Sequence, residues 1–157
     1  MNTSSFIPLA LLVASSCATT ESSRSTDAHI VSFDVGAAEF PCGDLVVVEE
    51  VHSSTGQIAP GAALTVCGRY ELRSREKASL YLGVTATTSV GASAAVDPRQ
   101  QSEVALGSGN FELTYVVPGP GYPHVTFYDS ATGQPFGGVY FGKDETLLRT
   151  KSWTNAR

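Results

Sequence analysis

A two-residue alternation of apolar and polar side chains dominates the middle of the chain. Within residues 62–73, Leu64, Val66 and Leu72 alternate with polar neighbours, and residues 79–87 repeat the pattern. Successive side chains of a β-strand point to opposite faces, whereas a helix would repeat every 3.6 residues. The alternation therefore predicts two half-buried strands, each with its apolar side turned to a core.

Six further segments have strand composition and lie between Gly, Pro and polar turn signals. No helical period of useful length occurs in the chain. The charged link 74–77 predicts a hairpin loop, Gly107-Ser108-Gly109 predicts a three-residue turn, and the prolines of 118–123 exclude that segment from a strand interior. The resulting eight short strands predict an all-β domain, either an antiparallel sandwich or a small β-barrel. The six segments are 30–35, 45–51, 102–106, 110–117, 125–129 and 138–141.

The turn at Pro60-Gly61, which opens into an alternating strand, resembles the strand starts of bacterial immunoglobulin-like modules. This resemblance implies an immunoglobulin-like antiparallel β-sandwich of about seven to eight strands over residues 29–142. The polar stretch 143–157 is a C-terminal extension to which the sequence assigns no structure.

The N-terminus has the anatomy of an export signal. Residues 6–14 form an uncharged apolar run that is too short to span a bilayer. The run leads into Leu-Val-Ala-Ser-Ser-Cys17, which resembles the lipobox of bacterial lipoproteins. That resemblance implies a signal peptide over 1–16, acylation of Cys17, a flexible tether over 17–28 and a lipid anchor in the cell-envelope membrane. Cleavage after Ala18 would instead give a secreted or periplasmic protein, and an uncleaved soluble chain is a third reading.

The two cysteines beyond the signal predict a disulfide between Cys42 and Cys67, because exported domains oxidise their thiols. Simple hairpin pairing would place Cys42 nearer Glu71, so the two segments are expected to lie in different sheets. Metal binding is disfavoured, since no Cys-x-x-Cys or His-x-x-x-His spacing occurs. Nucleic acid is not an expected partner, because the net charge is -5 and no basic stripe is present.

No nucleophile elbow, phosphate loop or cofactor motif is found, so no catalytic or cofactor-binding residue is assigned. If every connection reverses the chain, loops 52–61, 88–101 and 118–123 share one pole of the domain. Long loops on a rigid sheet often bind ligands, so the polar and aromatic residues on or beside these loops form a candidate ligand rim. Its members are His52, Asp97, Arg99, Tyr122 and His124.

Aromatic residues are dense over 122–141, where exposed rings would suit sugar binding, although alternation predicts that at least half of them lie in the core. The expected function is a non-enzymatic accessory or adhesion-type binding module of the envelope, with a protein or polysaccharide partner. A carbohydrate-binding module is the first alternative. An envelope enzyme with a loop-borne site is the second.

Overall fold

The computed structural model describes residues 28–41, 43–87 and 97–143, which form an all-β, antiparallel fold. The predictions for the signal peptide, Cys17, Cys42 and most of the C-terminal extension lie outside these residues. A 3-10 turn, Pro98–Gln100, precedes the fifth strand. The described residues form the strands β1 (His29–Ile30), β2 (Asp34–Glu39), β3 (Leu45–Ser53), β4 (Ala63–Ala86), β5 (Gln101–Val116), β6 (Gly121–Tyr128) and β7 (Pro135–Gly142).

The 24-residue strand β4 organises the sheet. Its even-numbered side chains are buried on both sides of the bend, as at Leu64, Val66, Leu80 and Leu82, whereas Ser74 and Glu76 at the bend itself are exposed. This confirms the predicted alternation. The hairpin loop predicted at 74–77 is wrong, because β4 continues through it.

The turn predicted at 107–109 is also wrong, since β5 runs through it beside β4. The register passes from Leu72 opposite Gly107 to Lys77 opposite Ala105, so β4 has more residues than β5 at this point. Extra residues in one strand of a pair bend both strands while the pairing resumes on either side. Gly107, with φ of 114°, adopts the backbone that this bend requires.

The bend folds β4 back over itself. At its first end, Val117 donates to the carbonyl of Ala62 at 2.9 Å, and at its last end Thr87 donates to the carbonyl of Pro120 at 3.0 Å. Only residues 117–120 link these two contacts, so the ends of β4 lie within roughly 20 Å. A straight strand of this length would span about 75 Å. The sheet is therefore curled around one core.

The remaining strands extend the two halves of β4. β3 pairs with the first half and β1 with β3, while β6 pairs with the second half and is followed by β7 and β2. β5 pairs with the opposite edge of β4 along both halves. In β6, Pro123 lies inside a strand, which corrects the prediction for 118–123. The strand tolerates it because β7 pairs with β6 only from His124 onward, which leaves Pro123 opposite β4 alone.

The core lies between the two halves of the curled sheet. Leu64, Leu113 and Val51 of the first half share one buried cluster with Phe127 and Phe141 of the second. Edge-to-face rings connect the halves directly, since the Tyr70 and Phe127 centroids lie 6.5 Å apart. Aromatic pairs of this geometry add to the energy of apolar burial.

Two polar contacts hold the bend of β4. The buried carboxylate of Asp44 accepts from the backbone N–H groups of Arg73 and Ser74 at 2.7 and 2.9 Å and from the Ser74 hydroxyl at 2.5 Å. The Arg75 guanidinium pairs with Asp129 and lies 3.9 Å from the ring centroid of Phe136. Asp44 immediately precedes β3 and Asp129 immediately follows β6, so both contacts connect the bulged residues to the ends of other strands.

Candidate functional site

Residues beside two of the predicted loops meet where the ends of β4 approach each other. Gly61 donates to the carbonyl of Val117 at 2.8 Å, and Thr87 donates to the carbonyl of Pro120 at 3.0 Å. Residues 88–96 lie outside the described residues, so the gathering of all three loops stays a prediction. Three of the candidate rim residues, His52, Tyr122 and His124, lie inside strands.

Tyr122 and His124 are the two rim residues that come together. They lie on the same side of β6, and both are edge-on to Tyr140 with ring centroids 6.5 and 5.4 Å away. His124 Nδ1 is 2.8 Å from the hydroxyl of Thr126, and His124 and Tyr140 are 9% and 5% exposed. This face of β6 is opposite the face that carries Phe127 into the core.

Asp97 and Arg99 pair with each other at the start of the 3-10 turn. The Asp97 carboxylate accepts from the backbone N–H of Arg99 at 2.9 Å and from its guanidinium at 2.7 Å. The hydrogen bonds from Arg99 lower the pKa of Asp97 to about 2, and the bonded carboxylate raises the pKa of Arg99. The pair therefore caps the turn.

His52 belongs to β3 and lies apart from the other rim residues. Its Nε2 is 3.1 Å from Glu50 Oε2, and its strand neighbours are Ile30 and Thr65. None of its described contacts is with another rim residue. The described contacts of the predicted rim are therefore a Tyr122–His124 cluster around Tyr140, an Asp97–Arg99 pair, and His52 beside Glu50.

The aromatic residues of 122–141 separate by type. Phe127 and Phe141 are fully buried in the core, as the alternation predicts for half of the set, whereas Tyr122, Tyr128 and Tyr140 lie on the opposite face. The tyrosine rings meet at steep angles, 75° for Tyr81 with Tyr128 and 88° for Tyr122 with Tyr140. Burial is the main reason that the pKa values of Tyr81 and Tyr128 are raised. Edge-to-face rings do not form a flat platform for a sugar.

The two cysteine-bearing segments lie in one sheet, which corrects the expectation of different sheets. β3 pairs directly with β4, and Cys67 is opposite Glu50 with its sulfur 3.7 Å from Glu112. The described residues next to Cys42 are near Arg73. The disulfide itself stays a prediction, because Cys42 lies outside the described residues. Within residues 28–41, 43–87 and 97–143, no cluster of three or more His, Cys, Asp or Glu side chains could hold a metal ion.

A long unpaired strand edge is the feature that sequence analysis missed. β5 pairs with β4 along one side, and no other strand among the described residues pairs with its second side. We call this second side the β5 edge. Leu106 and Val116 on this strand are 59% and 52% exposed, and Glu103 and Glu112 are its only charged residues. Natural edge strands are protected by short length, Pro, charged side chains or bulges. β5 has two glutamates and the bend beside Gly107, but it has no Lys or Pro and is 16 residues long.

A cavity of about 290 Å³ opens over the middle of β5 and extends across β4 to the start of β3. Its charges are already paired, because Arg69 lies 3.2 Å from Glu49 and Glu71 accepts from Arg73 at 2.8 Å. We call this cavity the β5 pocket. Its lining residues are Leu45, Arg69, Tyr70, Glu71, Ser108, Gly109 and Asn110.

No family model, curated protein or solved structure matches this chain. In the part of the chain that the structure describes, no helix has the length and apolar character needed to cross a membrane. The function must therefore be argued from the site itself.

Proposed function

We propose that this chain is a non-enzymatic binding module of the bacterial cell envelope, which accepts an extended segment of a partner protein along the β5 edge. The observation that carries the proposal is the 16-residue strand whose second side has no described partner. An added strand gains main-chain hydrogen bonds along such an edge, and this mode of binding needs no catalytic residue or cofactor.

The membrane attachment in this proposal is the acylated Cys17, which the lipobox-like sequence supports. A tether over 17–28 would hold the domain clear of the membrane surface. The fold in this proposal is an immunoglobulin-like sandwich, for which the two facing halves of β4 are the support. A small barrel is the alternative arrangement of the same strands.

The carbohydrate-binding alternative has less support. Sugar rings stack on exposed aromatic faces, whereas Tyr140 is buried and Tyr122 is perpendicular to it. For the enzyme alternative, the two histidines among the candidate residues are not brought together within the described residues, since His52 lies on β3 beside Glu50 and His124 lies on β6 beside Thr126. The carbohydrate alternative predicts a different crosslinked adduct, and the enzyme alternative predicts turnover of a substrate.

The experiment is photo-crosslinking in cells, using the full-length protein with benzoylphenylalanine at position 106. The matched control carries it at Val35, which is equally exposed, at 60%, on the β2 edge. We expect a discrete higher-mass adduct from position 106 that proteinase destroys and glycan hydrolases leave intact. Ser108→Lys, on the same edge, should remove this adduct, whereas Val35→Lys should not.

Equal adducts from both positions, or an adduct that Ser108→Lys leaves unchanged, would contradict the proposal. An adduct that glycan hydrolases remove and Tyr122→Ala abolishes would favour the carbohydrate alternative. Turnover of an envelope substrate that is lost in His52→Ala or His124→Ala would favour the enzyme alternative.

A further inference from the structure

We infer that the β5 pocket selects the partner by taking one large, uncharged, apolar or aromatic side chain from the strand that adds to the β5 edge. This inference rests on the proposed function and names the chemistry that the partner must offer. In strand addition, main-chain hydrogen bonds give affinity, and pockets for individual side chains give specificity.

The pocket is reachable from the edge because β5 carries almost no side-chain bulk there. Gly107, Ser108 and Gly109 follow one another at this level of the strand. A Cβ on Gly109 would come within 2.7 Å of the Tyr70 ring, so the close approach of ring and backbone requires glycine. The β5 lining of the pocket is one strand spacing, about 5 Å, from an added strand, and Tyr70 on β4 is two spacings, about 10 Å, away, so only a long side chain that crosses this low stretch can reach the pocket.

The lining favours an uncharged occupant. Tyr70 is held edge-on against Phe127, and Leu45 is the second apolar wall, at 43% exposure. The charged lining residues, Arg69 and Glu71, are paired with neighbours. A charged guest would lose hydration without finding an unpaired opposite charge, whereas an apolar guest would bury surface against a ring and a leucine.

A second copy of this chain fits the edge poorly. Leu106 is the exposed apolar side chain of β5 that is nearest the pocket in the sequence. The antiparallel pairing of two β5 strands that brings Leu106 opposite Gly109 also places Glu103 opposite Glu112. Like charges directly opposite each other destabilise a strand pair.

The test uses the purified full-length protein and blocked nine-residue peptides of alternating Thr and Val with one central guest residue. Amide chemical shifts report where each peptide binds. We expect shifts in Gln101–Val116, with Trp and Leu guests binding at least tenfold more tightly than Ser, Lys or Glu guests. Ser108→Leu, which fills the pocket, should abolish this preference, and Thr114→Leu on the same strand should preserve it.

Three results would overturn the inference. Equal binding of all guests along β5 would remove the pocket's role and leave the proposed function standing. The absence of β5 shifts with every peptide would overturn both. Concentration-dependent dimerisation that Leu106→Lys prevents, measured by sedimentation, would identify a second copy as the occupant.

Discussion

The carboxylate of Asp44 is expected to determine whether β4 can hold its bend. It accepts three hydrogen bonds, from the backbone N–H groups of Arg73 and Ser74 and from the Ser74 hydroxyl. Hydrogen bonds to a charged acceptor contribute about 1.5–3 kcal/mol each, and contacts to one group are not additive. Because Arg73 and Ser74 are exposed and their N–H groups can return to water, we expect Asp44→Ala to lower the free energy of unfolding by about 3 kcal/mol.

Two milder variants show how much of this free energy of unfolding comes from individual hydrogen bonds. In Asp44→Asn one oxygen can still accept from both backbone groups, so the expected cost is about 1 kcal/mol, and Ser74→Ala should cost a similar amount. Urea unfolding followed by circular dichroism measures these differences, with Asp34→Ala on the exposed edge strand β2 as the control. A cost below about 1 kcal/mol for Asp44→Ala would refute this account of the bend. An equal cost for Asp44→Asn and Asp44→Ala would do the same.

Three further predictions concern the core, the pH dependence and the anchor. Phe127→Ala should lower the free energy of unfolding, measured with urea, by about 3–5 kcal/mol because the ring is fully buried. Tyr122→Ala on the outer face should lower it by well under half of that. Similar losses for the two variants would contradict the separation of the two faces. Backbone N–H groups of Thr132 and Ala131 lower the pKa of Asp129 from its ordinary 3.8, so its contribution to stability is complete above that pH and is lost as the pH falls below it. Asp129→Asn should therefore flatten the acid side of the stability profile, and an unchanged slope would contradict this. The non-reduced intact mass of protein purified from its own membranes should begin at Cys17, carry acyl chains and lack two thiol protons; a mass beginning after Ala18 would mean a free exported domain.

The local parts of this fold could be predicted from the sequence. The period of two at Leu64 and Leu80 identifies which side chains enter the core, because strand geometry fixes that alternation. The same rule separates Phe127 and Phe141 from the tyrosines between them. These are properties of single strands and need no knowledge of their neighbours.

The bend and the β5 edge could not be predicted in this way. Residues 74–77 are charged because a bulge at the bend of a sheet is solvent-exposed, and a hairpin loop has the same composition. Gly107 likewise supports either a turn or a bend. Whether one side of a strand stays unpaired depends on which segments pair across the whole chain, so dividing β5 into two short strands concealed its longest unpaired stretch.

The strand positions of the rim residues could not be predicted for a related reason. The reversals expected at 74–77 and 107–109 are a bend within continuous strands, and chain reversals do not determine where strands end. His52 lies within β3 and His124 within β6, so each side chain follows the pleat of its own strand. Asp97 and Arg99 satisfy each other at a turn, which is a local pairing that sequence proximity alone could have suggested.

The most direct test of the central claim is amide hydrogen exchange of the full-length protein, compared between its native envelope membranes and the purified state. We predict slower exchange in the native membranes across Gln101–Val116, because an added strand would pair with the N–H groups of the β5 edge, and little change across Asp34–Glu39 of β2. Unchanged exchange in β5, or protection confined to β2, would contradict the assignment of β5 as the binding edge.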